Sequence, residues 1–119
     1  MKLYRFDAAV ARPITQFGSA GAAIAPITRP GPGFVQLGCI HLAPGGHVGR
    51  HPARGAQFLL VVAGDGWVAG ADGTPTPIAA GQAAFWEPGE AHESGSERGM
   101  TALVLEAESL GPALMPEVL

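Results

Sequence analysis

The sequence predicts an all-β barrel or sandwich, and three observations carry that expectation. The 119 residues include 18 glycines and 11 prolines without a collagen-like period, so these residues read as turns that punctuate short apolar runs. The runs are of strand length and recur at turn-bounded intervals. No window holds a convincing helical period. Hydrophobic residues make up 47% of the chain and charged residues 14%, which suits one packed domain over 1–119 and argues against disorder.

The expected strands follow in order. Leu3 to Phe6 is the first. Ala22 to Thr28 lies between Gly21 and the breaker "RPGPG" at 29–33. Phe34 to Leu42 is a strong apolar run ended by "APGG", and Val48 to His51 is a short successor. Ala56 to Val62, "AQFLLVV", is the strongest run and is stopped by "AGDG". Trp67 to Ala69, Ile78 to Ala79, Ala83 to Trp86, Ala91 to Ser94 and Thr101 to Glu106 complete about ten short strands. The apolar tail at 107–119 is interrupted by Pro112 and Pro116 and reads as a C-terminal arm that covers a partner or an edge.

Several function classes are excluded. The seven basic residues are scattered and net charge is −3, so no basic stripe is present to neutralise phosphates. Cys39 is the only cysteine, which rules out an intrachain disulfide and suits a small buried hydrophobe. The N-terminal stretch carries Lys2, Arg5 and Asp7 and no long apolar core, unlike a secretion signal. No run approaches the roughly 20 apolar residues of a membrane span. A cytoplasmic protein with neither nucleic-acid nor membrane partners is expected.

The chemistry concentrates in two stretches. In "GGHVGRHPARGAQFLLVVAGDGWV", His51, Ala53 and Gln57 share odd parity, which places them on one face if the strand is regular. In "GQAAFWEPGEAHES", a Pro88–Gly89 turn reverses the chain and delivers His92, with Glu90 at the same parity. Histidines from two strand segments converging inside a barrel form a cradle for iron, manganese, nickel, zinc or copper. The alternative is a polar pair lining a pocket for an organic molecule. His47 and Glu90 are additional candidate ligands. His41 reads as a barrel-mouth residue, and Glu87, Glu90, Glu93 and Glu97 as a solvated acidic rim, the functional alternative being one general base close to a bound substrate. Trp67 and Trp86 are candidate pocket walls beside Ala53.

At these residues the chain resembles the cupins. Gly45 precedes His51 at the spacing of the first cupin motif, within 45–64. Ala53 stands at its second histidine, Gln57 at its glutamate and Gly64 at its closing glycine. The second motif falls within 81–96: Gly81, Gly89 and His92 match, Glu87 takes the proline position with Pro88 directly after it, and Ser96 replaces the asparagine. The two stretches also resemble a subgroup of small, single-domain, conserved-barrel cupins with no settled function. The resemblance implies a double-stranded β-helix (jelly-roll) barrel with little helix, and a homodimer. It further implies a small molecule, with or without a divalent transition metal, held through His51, Gln57 and His92. A metal-dependent dioxygenase or sugar isomerase or epimerase is the enzymatic alternative. Ala53 removes one donor and Gln57 keeps an oxygen without its charge, so the expected ligand set is neutral.

Overall fold

A computed structural model describes residues 1–28, 33, 35–111 and 114–118. A short 3-10 turn at Ala8–Val10 leads into eight strands: β1 Arg12–Pro13, β2 Ala20–Pro26, β3 Gln36–Pro52, β4 Ala56–Ala69, β5 Thr76–Ala79, β6 Ala83–Trp86, β7 Ala91–Gly95 and β8 Met100–Ala107. All pairings are antiparallel.

Two long strands organise the sheet. The first part of β3 pairs with β8 and its second part with β7. The first part of β4 likewise pairs with β8 and its end with β7. The ring β3–β8–β4–β7 therefore closes on itself, which leaves no free edge in the body of the barrel. β2 extends the wall beside β3, and β5 and β6 lie along β4. Ile40, Leu42, Val48, Leu59, Val61, Val68, Ile78, Trp86, Met100 and Ala102 form one buried cluster inside.

The sequence divides this fold more finely than the chain does. "APGG" does not end a strand: β3 runs through it, bending where Gly45 takes φ 78°. "AGDG" is likewise inside β4, with Gly64 at φ 78°. Both glycines supply a left-handed residue that permits a bend while pairing continues, so four expected runs join into the two strands β3 and β4, while β1 is a strand the expected runs do not include. Leu3 to Phe6 is a correction. That segment is in no strand; no described strand pairs with it, and Tyr4 is 85% exposed. Order resumes only where the Asp7 carboxylate accepts from the Ala9 amide at 2.9 Å and caps the 3-10 turn. Arg29 to Pro32 of the "RPGPG" breaker, Phe34, and Pro112, Ala113 and Leu119 of the expected arm lie outside the described residues.

Candidate functional site

The barrel holds a partly open cavity of about 590 Å³. Its walls are largely apolar, with Ile14, Ile24, Ile40, Val48, Leu59 and Val104 among them. Its polar side chains come from strand pairs whose register can be followed residue by residue.

His51 on β3 lies directly opposite His92 on β7. The register shifts between Val48 and His51, so three residues of β3 advance against two of β7. This bulge turns both Val48 and His51 inwards and sends Arg50 out, where its guanidinium donates to the carbonyls of Gly70 and Ala71 at 3.0 and 2.7 Å. The two imidazole centroids are 4.4 Å apart. Phe17 stacks on His51 at 4.0 Å, and Trp86 stacks on His92 at 4.3 Å. Each Nδ1 faces a carbonyl oxygen, that of Gly49 for His51 (2.7 Å) and that of Glu90 for His92 (3.1 Å). A carbonyl only accepts, so both Nδ1 atoms carry a proton, and in the neutral imidazole each Nε2 is then a bare acceptor.

A second set of polar groups lies in a row across four strands. Trp86 of β6 is opposite Gln57 of β4, Gln57 is opposite Glu106 of β8, and Glu106 is opposite Gln36 of β3. The Gln57 amide nitrogen donates to Glu106 Oε2 at 2.5 Å. The Arg54 guanidinium donates to Glu106 Oε1 at 3.3 Å and to Gln36 Oε1 at 2.7 Å. Gln57 and Glu106 are each only 8% exposed, yet both are hydrogen-bonded, as buried polar groups must be.

His51, Gln57, His92 and Trp86 thus line one cavity. Glu93 of the expected acidic rim also lines the cavity, with the Arg50 guanidinium 3.8 Å from its carboxylate; the other sequence candidates stand elsewhere. The Glu90 carboxylate turns away from the cavity to accept from the amides of Glu87 (3.0 Å) and Ala71 (3.2 Å), which makes it a clamp on the turn before His92. Trp67 flanks a separate shallow pocket with Asp65, Gly66, Glu97 and Arg98. Ala53 is buried but is not part of the cavity lining; its amide and carbonyl pair with Glu90 and Gly89. His47 lies before the β3 bulge, opposite Ala20 and Gly95 and outside the lining. Parity fails for Ala53 and Glu90 because β3 ends at Pro52 and β7 begins at Ala91, and the bulge between Val48 and His51 separates His47 from the site. Ser96 holds the chain rather than a ligand: its hydroxyl donates to the Asp65 carbonyl at 2.6 Å and accepts from the Gly99 amide at 2.9 Å. His41 contacts the Phe6 carbonyl at 3.0 Å. Cys39 is fully buried, and that burial pushes its thiol pKa up.

Sequence reasoning missed Glu106, Phe17, Arg54 and Gln36. A signal existed for Glu106 alone, as a single carboxylate in the apolar run "TALVLEA".

Burial lowers the pKa of His92 below its ordinary 6.5, and the neighbouring His51 adds to that, against the raising effect of the Glu90 carbonyl. The unfolded chain therefore takes up the proton more readily than the folded one. Stability from this group is complete above the ordinary value and falls as pH drops below it. Melting temperatures measured from pH 7.5 to 5 in a chelator should fall in the native chain and fall less steeply in His92→Gln. Parallel slopes would rule His92 out as the source.

The chemistry of these groups decides whether a metal fits. Among the described residues no three His, Cys, Asp or Glu side chains are grouped to hold an ion. Two imidazoles do present bare Nε2 atoms with their Nδ1–H groups tied to carbonyls, the outer arrangement that orients metal-binding histidines. The Gln57 nitrogen is committed to Glu106, which leaves Oε1 as its free donor atom. Two nitrogens and a neutral oxygen suit a labile first-row divalent cation.

A cupin family model, described as the cupin domain, matches residues 38–106. The chain is a cupin. Solved structures agree on the fold. The polyketide cyclase RemF of Streptomyces resistomycificus superposes with TM-score 0.76 at 20% identity, covering 94% of this chain and 82% of RemF. A cupin-like protein of Thermotoga maritima superposes with TM-score 0.76 at 17% identity, covering 94% and 86% of the two chains. A predicted oxalate decarboxylase from the same organism reaches 0.74 at 20% identity, covering 89% and 98%. A comparison with curated proteins found no match. No helix among the described residues is long and apolar enough to cross a membrane.

Proposed function

We propose that this cupin binds a small molecule with a flat apolar body in the barrel cavity, its polar end against His51, Gln57 and His92. The observation that carries the reading is a partly open space of about 590 Å³ with apolar walls and two aromatic rings, Phe17 and Trp86, stacked on the paired histidines. Binding pockets for organic ligands typically measure roughly 300–1,000 Å³ and combine such walls with a few polar groups. The fold it shares with a polyketide cyclase is in keeping with a ligand of this shape.

In the same reading His51, Gln57 and His92 hold a divalent first-row metal, weakly because the set carries no charge. When bound, the metal would supply Lewis-acid polarisation of a ligand oxygen. The histidines' part is to keep Nε2 unprotonated, and the part of Phe17 and Trp86 is to hold the rings in place and exclude water. The enzymatic alternative is metal-dependent turnover of a bound ligand. The apolar walls favour an aromatic substrate for it over a sugar.

Titration with 2-naphthol tests the pocket. Trp86 lines the cavity and Trp67 does not, so in a Trp67→Phe background the ligand should quench the remaining indole saturably. Val104→Trp, which fills the cavity, should abolish binding. Undiminished binding in that variant places the ligand elsewhere. Elemental analysis after loading with Ni²⁺ tests the metal: His51→Ala and His92→Ala should each remove it, and a metal content unmoved by both would sink that assignment.

A further inference from the structure

The polar groups deep in the cavity are matched in kind. His51 and His92 present bare Nε2 atoms, because both Nδ1–H groups are spent on the carbonyls of Gly49 and Glu90. Gln57 presents Oε1 and one amide N–H, because its other N–H is spent on Glu106. Glu106 is a carboxylate with about four lone-pair sites, of which Gln57 and Arg54 engage one on each oxygen. Every one of these groups can accept a further hydrogen bond, and the one donor left among them is the second amide N–H of Gln57. Ser94 is a further buried group in the lining, a hydroxyl that can donate or accept. The amide and guanidinium donors of Gln16, Gln36 and Arg54 lie towards the outside: Gln16 and Arg54 are exposed, Gln36 is half-buried, and the Arg54 guanidinium donates to Glu106 and Gln36.

From this arrangement we infer that the cavity selects neutral aromatic molecules bearing hydroxyl donors, of the phenol or enol class, and that Glu106 is the residue that selects them. The inference rests on the small-molecule reading above and adds the ligand's chemistry to it. A ligand hydroxyl that donates to Glu106 finds a buried carboxylate already oriented by Gln57 and Arg54, at no cost in arranging it. A methyl ether of the same shape would bury the carboxylate without donating to it. An aromatic carboxylate would bring a second negative charge against Glu106 and further acceptors against acceptors. Hydrogen bonds to a charged partner are roughly twice as strong as neutral ones. Losing one should therefore cost about tenfold or more in affinity.

Three probes of one size separate the outcomes: 2-naphthol, 2-methoxynaphthalene and 2-naphthoate, each titrated against Trp86 fluorescence in the Trp67→Phe background. The series is run on the protein as purified and again in EDTA, so that a metal cannot supply the preference. The naphthol should bind about tenfold or more tighter than the ether, and the naphthoate weakest of the three. In Glu106→Gln, checked for its fold by circular dichroism, the naphthol-to-ether ratio should shrink to about threefold or less. Equal binding of naphthol and ether would overturn the selection while leaving a small-molecule pocket standing. Tightest binding of the naphthoate would overturn it too, by showing that Arg54 reads anions. A preference that disappears in EDTA would move selection from Glu106 to the metal. No binding of any probe would end both readings.

Discussion

Trp86→Ala should destabilise the barrel by about 3–5 kcal/mol, the usual range for removing a buried large aromatic side chain. The indole is 3% exposed and belongs to the main core cluster. It stacks on His92 and sits opposite Gln57 in the β4–β6 register. Its loss would join a new hole to a cavity that is already about 590 Å³, so collapse around it would be partial. Against a typical domain stability of about 5–15 kcal/mol this is a large share. Urea denaturation should show a lower midpoint at nearly unchanged slope. Trp86→Phe keeps a ring against His92 and should recover more than half of the loss. A loss below about 1 kcal/mol in Trp86→Ala would mean that the indole decorates the cavity without helping to hold it together.

Gly49→Ala is the second large effect, and it acts on the cavity mouth. Phe17 has φ 62°, a left-handed conformation that a bulky side chain rarely adopts. The turn that carries it is docked against β3 at Gly49, where a Cβ would lie inside the Phe17 carbonyl oxygen. The Ser19 hydroxyl accepts from the Gly49 amide at 3.0 Å and holds the same contact. A methyl there cannot be accommodated by rotating a side chain, because the obstacle is backbone. The turn must leave, and Phe17 must come off His51. An overpacking cost of about 1–3 kcal/mol is expected, with loss of the ring-current shift that Phe17 imposes on the His51 protons. Phe17→Gly should be much milder. It removes a stack worth about 0.5–1.5 kcal/mol but also relieves a left-handed residue that costs about 1–2 kcal/mol. If Phe17→Gly proves the costlier of the two, the ring and not the turn anchors the mouth.

His51, Gln57 and His92 could be named from the chain because glycine spacing marks where a cupin bends, and Gly45, Gly64, Gly81 and Gly89 all have positive φ in the structure. Turn chemistry is local: a residue that must be left-handed declares itself as glycine whatever surrounds it. The all-β class was legible for a similar reason, since short apolar runs between turn residues leave no length for helices. Glu106, Phe17 and Arg54 were not legible. Each enters the site through a pairing with a residue far along the chain: Glu106 with Gln57 and Gln36, Phe17 with His51, Arg54 with Glu106. Alternation predicts a face only while the strand stays regular. β3 ends at Pro52 and β7 begins at Ala91, so Ala53 and Glu90 lie beyond the strand ends, where alternation from His51 and His92 no longer holds. From the sequence alone came the barrel, its bends and its two histidines, because these depend on backbone geometry and residue type. Tertiary structure alone decided which polar atoms face inwards and which of them still have a donor to give, because hydrogen-bond partners across a sheet are set by register, and register is a property of the closed barrel.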